Sequence, residues 1–245
     1  MILAAGYGRR LRPLTDRIPK ALVEVGGVPM LERTARRLIA AGADRLIINT
    51  HHHAGQVRRF IEERDGFGVD VRISEEPEAP LETGGGLARA RPHFRRTAPF
   101  FLHNVDIITE VDLAAMYEAH RRTGALATLA VSDRPSSRLL RFDEAGLQAR
   151  VQPAAGRVEE ARDPRGRAVD RAFAGIHVIS PEILDLIPAT GTYSIIASYL
   201  ELAGGGRRIL PYDIGAALWL EIGDPERLRE ARSRVPAGKG EDPAG

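Results

Sequence analysis

Between residues 30 and 41 the apolar positions Leu31, Ala35, Leu38 and Ile39 recur three and four residues apart, with Pro29 before them and Gly42 after. That spacing puts them on one face and predicts a helix with a proline at its start and a glycine at its end. The six residues that follow, RLIINT (45–50), form a β-branched apolar run and predict a buried strand. The same alternation then repeats: a helix near 54–64, a strand VDVRIS at 69–74, a helix at 84–92 and a strand PFFLHNVD at 99–106. An amphipathic helix at 112–122 and a strand ALATLAV at 125–131 continue it. Strands alternating with helices at this pitch predict an α/β fold with a Rossmann-like mixed, mostly parallel sheet and helices on both faces.

The pattern breaks between residues 143 and 170, which are polar, punctuated by Gly and Pro, and poor in large apolar side chains. They predict an excursion of short strands and loops away from the main sheet. Regularity returns with AFAGIHVIS (172–180), helices near 181–187 and 194–203, strands near 207–213 and 217–222, and a last helix from Pro225. One domain over 1–232 is expected, with a disordered tail at 233–245. No internal repeat occurs that would make a solenoid. Only Met1 to Ala5 precede the first glycines, so either the first strand is short or the native chain begins upstream.

Composition narrows the classes. At 245 residues and 43% hydrophobic the chain can bury one sizeable core. No apolar run reaches 18 residues, and the short apolar start gives way at once to glycines and arginines, unlike a signal peptide; the cytoplasm is the expected compartment. There is no cysteine, which excludes disulfides, thiolate catalysis and cysteine-ligated metals. The pI of 9.2 accompanies a net charge of only +2, with acids and bases interspersed, so no nucleic-acid partner is expected. The 35 basic residues include lysine at two positions only, Lys20 and Lys239. A lysine survives among so many arginines either by chance or where a compact point charge is needed and a planar fork does not fit.

Lys20 follows an apolar stub that runs into Gly6-Tyr7-Gly8, with Arg9, Arg10 and Arg12 close behind. Glycines there let backbone N–H groups turn toward phosphate oxygens. A dinucleotide fingerprint would need a third glycine at position 11, where the chain has Leu11, and an acid after the next strand, where it has NTHHH. A triphosphate P-loop would need Gly-Lys-Ser/Thr, which does not follow.

The whole string is more specific. Leu3-Ala4-Ala5-Gly6-x-Gly8-x-Arg10-Leu11-x-Pro13-Leu14-Thr15, then Pro19-Lys20, then Val25-x-Gly27-x-Pro29-Met30-Leu31, closely resembles the signature of sugar-1-phosphate nucleotidyltransferases. The resemblance implies a nucleotide-diphospho-sugar transferase fold. It also implies that Leu3 to Gly6, Gly8 and Arg10 hold the nucleotide's phosphates, and that Lys20 bridges the α-phosphate and the incoming sugar phosphate. It implies a strand-end carboxylate for Mg²⁺, matched by Asp106, although Val105 stands where many relatives have glycine. Taken alone, Asp106 could equally cap the next turn. A second ligand is implied in Trp-x-Asp-x-Gly; this chain reads Trp219-Leu220-Glu221-Ile222-Gly223, so Glu221, one carbon longer, takes that place. The stretch PLETGGGLARA brings Glu82, Thr83, Gly84 and Gly85 to a helix start facing base and ribose. It resembles the uridylyltransferase branch acting on N-acetylmuramic acid 1-phosphate, as do AFAGIHVISPEI and YSIIASYL.

The implied reaction is Mg²⁺-dependent transfer of a nucleoside monophosphate, from UTP by preference, to an amino-sugar or hexose 1-phosphate, with pyrophosphate released and an NDP-sugar made for the cell wall. The alternatives are a guanylyl- or cytidylyltransferase, and a catalytically weak nucleotide-binding regulatory protein; a Rossmann-type oxidoreductase comes last. A monomer or small homo-oligomer is expected. His51-His52-His53 reads as a turn with capping roles rather than a metal cluster, because consecutive side chains diverge. Trp219 reads as core or pocket wall, and Arg121-Arg122 as a solvated helix end.

Overall fold

The computed structural model describes residues 1–235. In chain order the strands and helices are β1 (Ile2–Leu3), a small ribbon of β2 (Glu24–Val25) and β3 (Val28–Pro29), α1 (Met30–Ala40), β4 (Arg45–Thr50), α2 (Ala54–Glu63), β5 (Asp70–Glu75), α3 (Glu82–Ala90), β6 (Phe100–Asn104), β7 (Ile107–Thr109) and α4 (Leu113–Thr123). They continue with β8 (Ala127–Ser132), β9 (Leu139–Asp143), β10 (Gly146–Gln152), β11 (Arg157–Glu160), β12 (Val169–Ile179), α5 (Ile183–Leu186), α6 (Ile195–Gly204), β13 (Ile209–Asp213), β14 (Trp219–Glu221) and α7 (Pro225–Arg234). The helix α7 carries order two residues past the expected boundary at 232; the rest of the expected tail, 236–245, lies outside the described residues.

One ten-stranded sheet holds the molecule together, in the order β11-β10-β9-β12-β6-β1-β4-β5, with β8 also beside β12 and β13 beyond β8. The half built from β6, β1, β4 and β5 is parallel, and β12 joins it antiparallel along β6. Period-2 alternation sends successive residues to opposite faces: Leu46 and Ile48 enter one apolar cluster, Ile47 the other. The first cluster takes in Leu31, Leu38, Val57, Met116 and Leu228 from α1, α2, α4 and α7, and the second Leu87, Ile183 and Tyr199 from α3, α5 and α6. Helices therefore cover both faces, as the alternation predicted. Among the described residues no helix is long and apolar enough to cross a membrane.

The expected excursion at 143–170 is corrected: β9, β10 and β11 continue the same sheet at its edge. Leu140, Phe142, Leu147, Ala149 and Val151 are buried, an alternation hidden in the sequence by Gly146, Pro153 and Gly156 at the turns. The first strand is short for a physical reason. Past Leu3 the ladder is replaced by a side chain, since the Ala4 amide donates to Asn49 Oδ1 at 2.7 Å. The expected strand at 99–106 ends at Asn104, and Val105-Asp106 form a turn into β7.

Three histidines are walled into this frame. His103 on β6, His120 on α4 and His177 on β12 are each about 1% exposed, and burial lowers their pKa values to about 4, about 4 and about 3. His120 lies between Thr128 Oγ1 and Ser180 Oγ, and His177 receives or gives a bond at Tyr199 OH. An imidazole held neutral in the fold but titrating near 6.5 when unfolded binds more protons in the unfolded state below that pH. Stability is thus full above pH 6.5 and falls as pH drops toward the folded values, at about 1.4 kcal/mol per pH unit for each histidine. The urea midpoint is expected to drop steeply between pH 6.5 and 5; a flat profile there would contradict the burial.

Candidate nucleotide site

The glycine loop leaves β1 at the carboxyl end of the parallel strands, where open α/β sheets bind ligands. Gly8 has φ +63, and a Cβ on it would stand 2.9 Å from Thr15 Cγ2 and 3.3 Å from Lys20 Cβ. Only glycine fits, and Thr15 Oγ1 donates to the Gly8 carbonyl at 2.9 Å to fix the turn. Gly6 is the opposite case, with no atom within 4 Å of where a Cβ would stand. The amides of Gly6, Tyr7 and Gly8 donate to no acceptor among the described residues. Unpaired amides on a glycine loop beside a cleft are the kind of donors that suit anionic oxygen.

The cleft has a volume of about 360 Å³. It is lined by Leu3, Ala4, Ala5, Gly6 and Gly8, by Arg10, Lys20, Asp106 and Gly223, and by Glu82 and Thr83. Lys20 opens a short 3₁₀ turn after the extended Pro19, and its ammonium pairs with Asp106 Oδ2. The pair is largely withdrawn from solvent, with side chains 12% and 19% exposed. Asp106 is held from behind, where its carbonyl accepts the Ile222 amide at 3.0 Å.

Glu221 ends β14, whose register sets it opposite Ile107, one residue from Asp106. It does not line the cleft itself. Its Oε1 lies 3.7 Å from Arg10 Nη2, and its Oε2 pairs with Arg227 on α7. A Cβ on Gly223 would sit 2.7 Å from Glu221 Oε1 and 2.9 Å from Arg10 Nη2, so the missing side chain is what lets these two meet. Trp219 packs against the first apolar cluster and does not line the cleft: its Nε1 donates to the Ala174 carbonyl at 2.8 Å, and the Arg134 guanidinium stacks 3.7 Å above its ring.

Near Glu82 and Thr83 two residues sit otherwise than expected. Gly84 and Gly85 do not face the cleft; their amides donate to the Tyr193 carbonyl at 2.9 and 3.3 Å. Cβ atoms there would fall 2.3 Å from the Tyr193 ring and 2.2 Å from the Gly191 carbonyl. These glycines let α3 pack against the 191–193 segment. Thr83 Oγ1 accepts the Ile195 amide at 2.9 Å, tying α3 to the start of α6. Glu82 is exposed at the mouth, with φ +59.

The sequence reading missed Asn49, Glu76 and Asn104, which also line the cleft. Glu76, 1% exposed, accepts Asn49 Nδ2 at 2.6 Å on one oxygen and the Leu81 amide at 2.7 Å on the other. The chain of bonds from Ala4 through Asn49 and Glu76 to Leu81 fixes the first strand against the loop that leads to Glu82. A Cβ on Gly86 would lie 2.8 Å from Asn49 Nδ2 and 2.9 Å from Glu76 Oε1, which accounts for the third glycine of the run. Polar residues closing the apolar runs RLIINT and FFLHN were the available signal; Glu76 had none, buried in sequence among the acids of SEEPE.

The histidine triplet forms the expected turn, but without the expected side-chain capping of α2. His51 Nδ1 lies 2.5 Å from the Glu76 carbonyl, so it carries the proton, and Nε2 accepts from Tyr7 OH at 3.1 Å. His53 precedes α2 with φ 56 and makes no side-chain cap. Among the described residues no group of three or more His, Cys, Asp or Glu could hold a metal ion.

The chain matches the family described as Nucleotidyl transferase over residues 1–237. It is 31% identical to N-acetylmuramate alpha-1-phosphate uridylyltransferase of Caulobacter vibrioides, over 96% of each chain. It is 29% identical to mannose-1-phosphate guanyltransferase of Yarrowia lipolytica, over 92% of this chain and 61% of that longer one. Among solved structures, a UTP-bound UGPase from Acinetobacter baumannii superposes with a TM-score of 0.75 at 19% identity, covering 95% of this chain and 91% of that one.

Proposed function

The chain belongs to the nucleotidyl transferase family, an enzyme of the kind that acts on sugar 1-phosphates, and from that premise we propose that it transfers UMP from UTP to an amino-sugar or hexose 1-phosphate in a Mg²⁺-dependent reaction. An oxygen of the acceptor's phosphate bonds to the α-phosphorus of the nucleotide. The α–β bridging bond breaks, and its electron pair leaves with pyrophosphate. The acceptor is already an anion, so no covalent enzyme intermediate and no general base are required, and catalysis rests on positioning and charge.

The observation that carries this reading is the pairing of charges at the cleft: Lys20 with Asp106 inside it, and Arg10, which lines it, with Glu221 just outside, near the glycine loop. Each cation is neutralised by a carboxylate that the bound state can release. Phosphates take Arg10, the loop amides and Lys20, and Lys20 stands between the α-phosphate and the acceptor. The two freed carboxylates, one residue apart in strand register, are the hard oxygen donors that Mg²⁺ takes when phosphates and water complete its shell. Bound there, Mg²⁺ supplies neutralisation of the charge on the phosphate oxygens. Glu82 and Thr83 face the base and ribose, while Gly84 and Gly85 shape the turn beneath them.

The Caulobacter relative's name and the UTP-bound neighbour favour uracil. A second reading, transfer of GMP, is favoured by the similarity to the mannose-1-phosphate guanyltransferase. Pyrophosphate release by the purified protein, with four nucleoside triphosphates crossed against a panel of sugar 1-phosphates in Mg²⁺, separates them. Release with UTP and an amino-sugar or hexose 1-phosphate is expected. Release only with GTP would install the second reading, and silence across the panel with nucleotide still bound would sink both.

A further inference from the structure

Glu221 is surrounded by arginines from three elements. Arg10 comes from the glycine loop, Arg227 from the first turn of α7, and Arg134, two residues past the end of β8, acts on it electrostatically. Of these, Arg10 and Arg134 have other engagements, with the cleft and with the Trp219 ring. Arg227 lies outside the cleft's lining, and its position is fixed twice, by Glu221 and by Asp224 3.5 Å from its Nε. Asp224 in turn caps α7, accepting the Arg227 amide at 3.0 Å. The guanidinium is therefore delivered to Glu221 by the helix start itself.

We infer that Arg227 sets how tightly this site holds a divalent cation, by competing with the cation for Glu221. The inference rests on the reading of Glu221 as a cation ligand. A carboxylate with one oxygen engaged by a guanidinium offers its other oxygen, and the guanidinium also repels the incoming cation. Arg227 thereby weakens cation binding while no nucleotide is present, and the cation enters most readily with the phosphates that draw Arg10 away. The pair is half exposed on the arginine side, which keeps it exchangeable.

The test titrates Mn²⁺ into the full-length protein, alone and with UTP or GTP but without acceptor, reading bound Mn²⁺ by electron paramagnetic resonance. Arg227→Gln is expected to bind Mn²⁺ about three- to tenfold more tightly than the unaltered protein when nucleotide is absent. Arg227→Lys, which keeps the charge, is expected to stay near the unaltered value, and Glu221→Gln to bind more weakly. Arg227→Met serves in place of the glutamine variant if that one fails to fold. If Glu221→Gln weakens binding while both neutral variants at 227 bind as before or more weakly, the inference falls and Glu221 keeps its role. If Glu221→Gln binds Mn²⁺ unchanged, the ligand reading falls and takes the inference with it.

Discussion

Replacing Lys20 by arginine is expected to lower kcat/KM for pyrophosphate release by roughly 10²–10³-fold, the scale of losing one charge-stabilising donor. The substitution is severe because it keeps so much. Arginine retains the positive charge and can still pair with Asp106, so the folded protein and its nucleotide affinity are expected to change little. What it cannot do is stand as a compact ammonium between two phosphates, because the side chain is 12% exposed and packed with its Cβ within 3.3 Å of where a Gly8 Cβ would be. Lys20→Arg therefore separates two roles that alanine would merge. If Lys20 serves only to neutralise Asp106, the arginine protein works nearly as well as the original. Steady-state kinetics and a thermal midpoint, taken together on the same preparation, distinguish the outcomes.

That lysine shows what could be read without coordinates. Its isolation among 35 basic residues and its place in a fixed string singled it out, and the fold then set it against Asp106 in the cleft. The helices α1 and α4 and the strands β4 and β5 were legible because local periodicity reports directly which face is buried. Legibility failed where a residue's job depends on a distant partner. Gly84 and Gly85 looked like an open glycine-rich helix start, and only the chain 106 residues or more downstream, at Tyr193 and Gly191, explains them. Glu76 gave no signal because three acids within four residues (Glu75, Glu76 and Glu78) normally mark solvent, while one of these is buried against Asn49. Short strands were expected within 143–170, but their place in the main sheet was not legible, because their short alternating runs lie between Gly and Pro turns and the sequence does not say which strand they pair with.

Asp106→Asn is expected to reverse the signs of two effects that usually move together. Catalysis at saturating Mg²⁺ should fall by roughly 10²–10³-fold, because an amide oxygen is a poor substitute for a carboxylate on a hard cation. Nucleotide affinity without metal should hold or tighten, because in the unaltered protein Asp106 occupies Lys20, and the bound phosphates must displace it. An asparagine still accepts a hydrogen bond from the ammonium, so Lys20 stays in place but no longer has a competing negative charge beside it. The sign of the affinity change is the informative quantity. A structural role for Asp106, holding Lys20 and nothing more, would leave the Mg²⁺ response of the asparagine protein intact and its rate nearly so. A role in both cation binding and Lys20 positioning predicts that the Mg²⁺ requirement shifts upward while the metal-free nucleotide titration shows no loss. Isothermal titration with UTP in chelator, set beside the Mg²⁺ dependence of pyrophosphate release, decides between them. The carboxylate that pairs with Lys20 before the nucleotide binds would then be the one that receives the cation afterwards, so the same two residues keep the cleft neutral in both states.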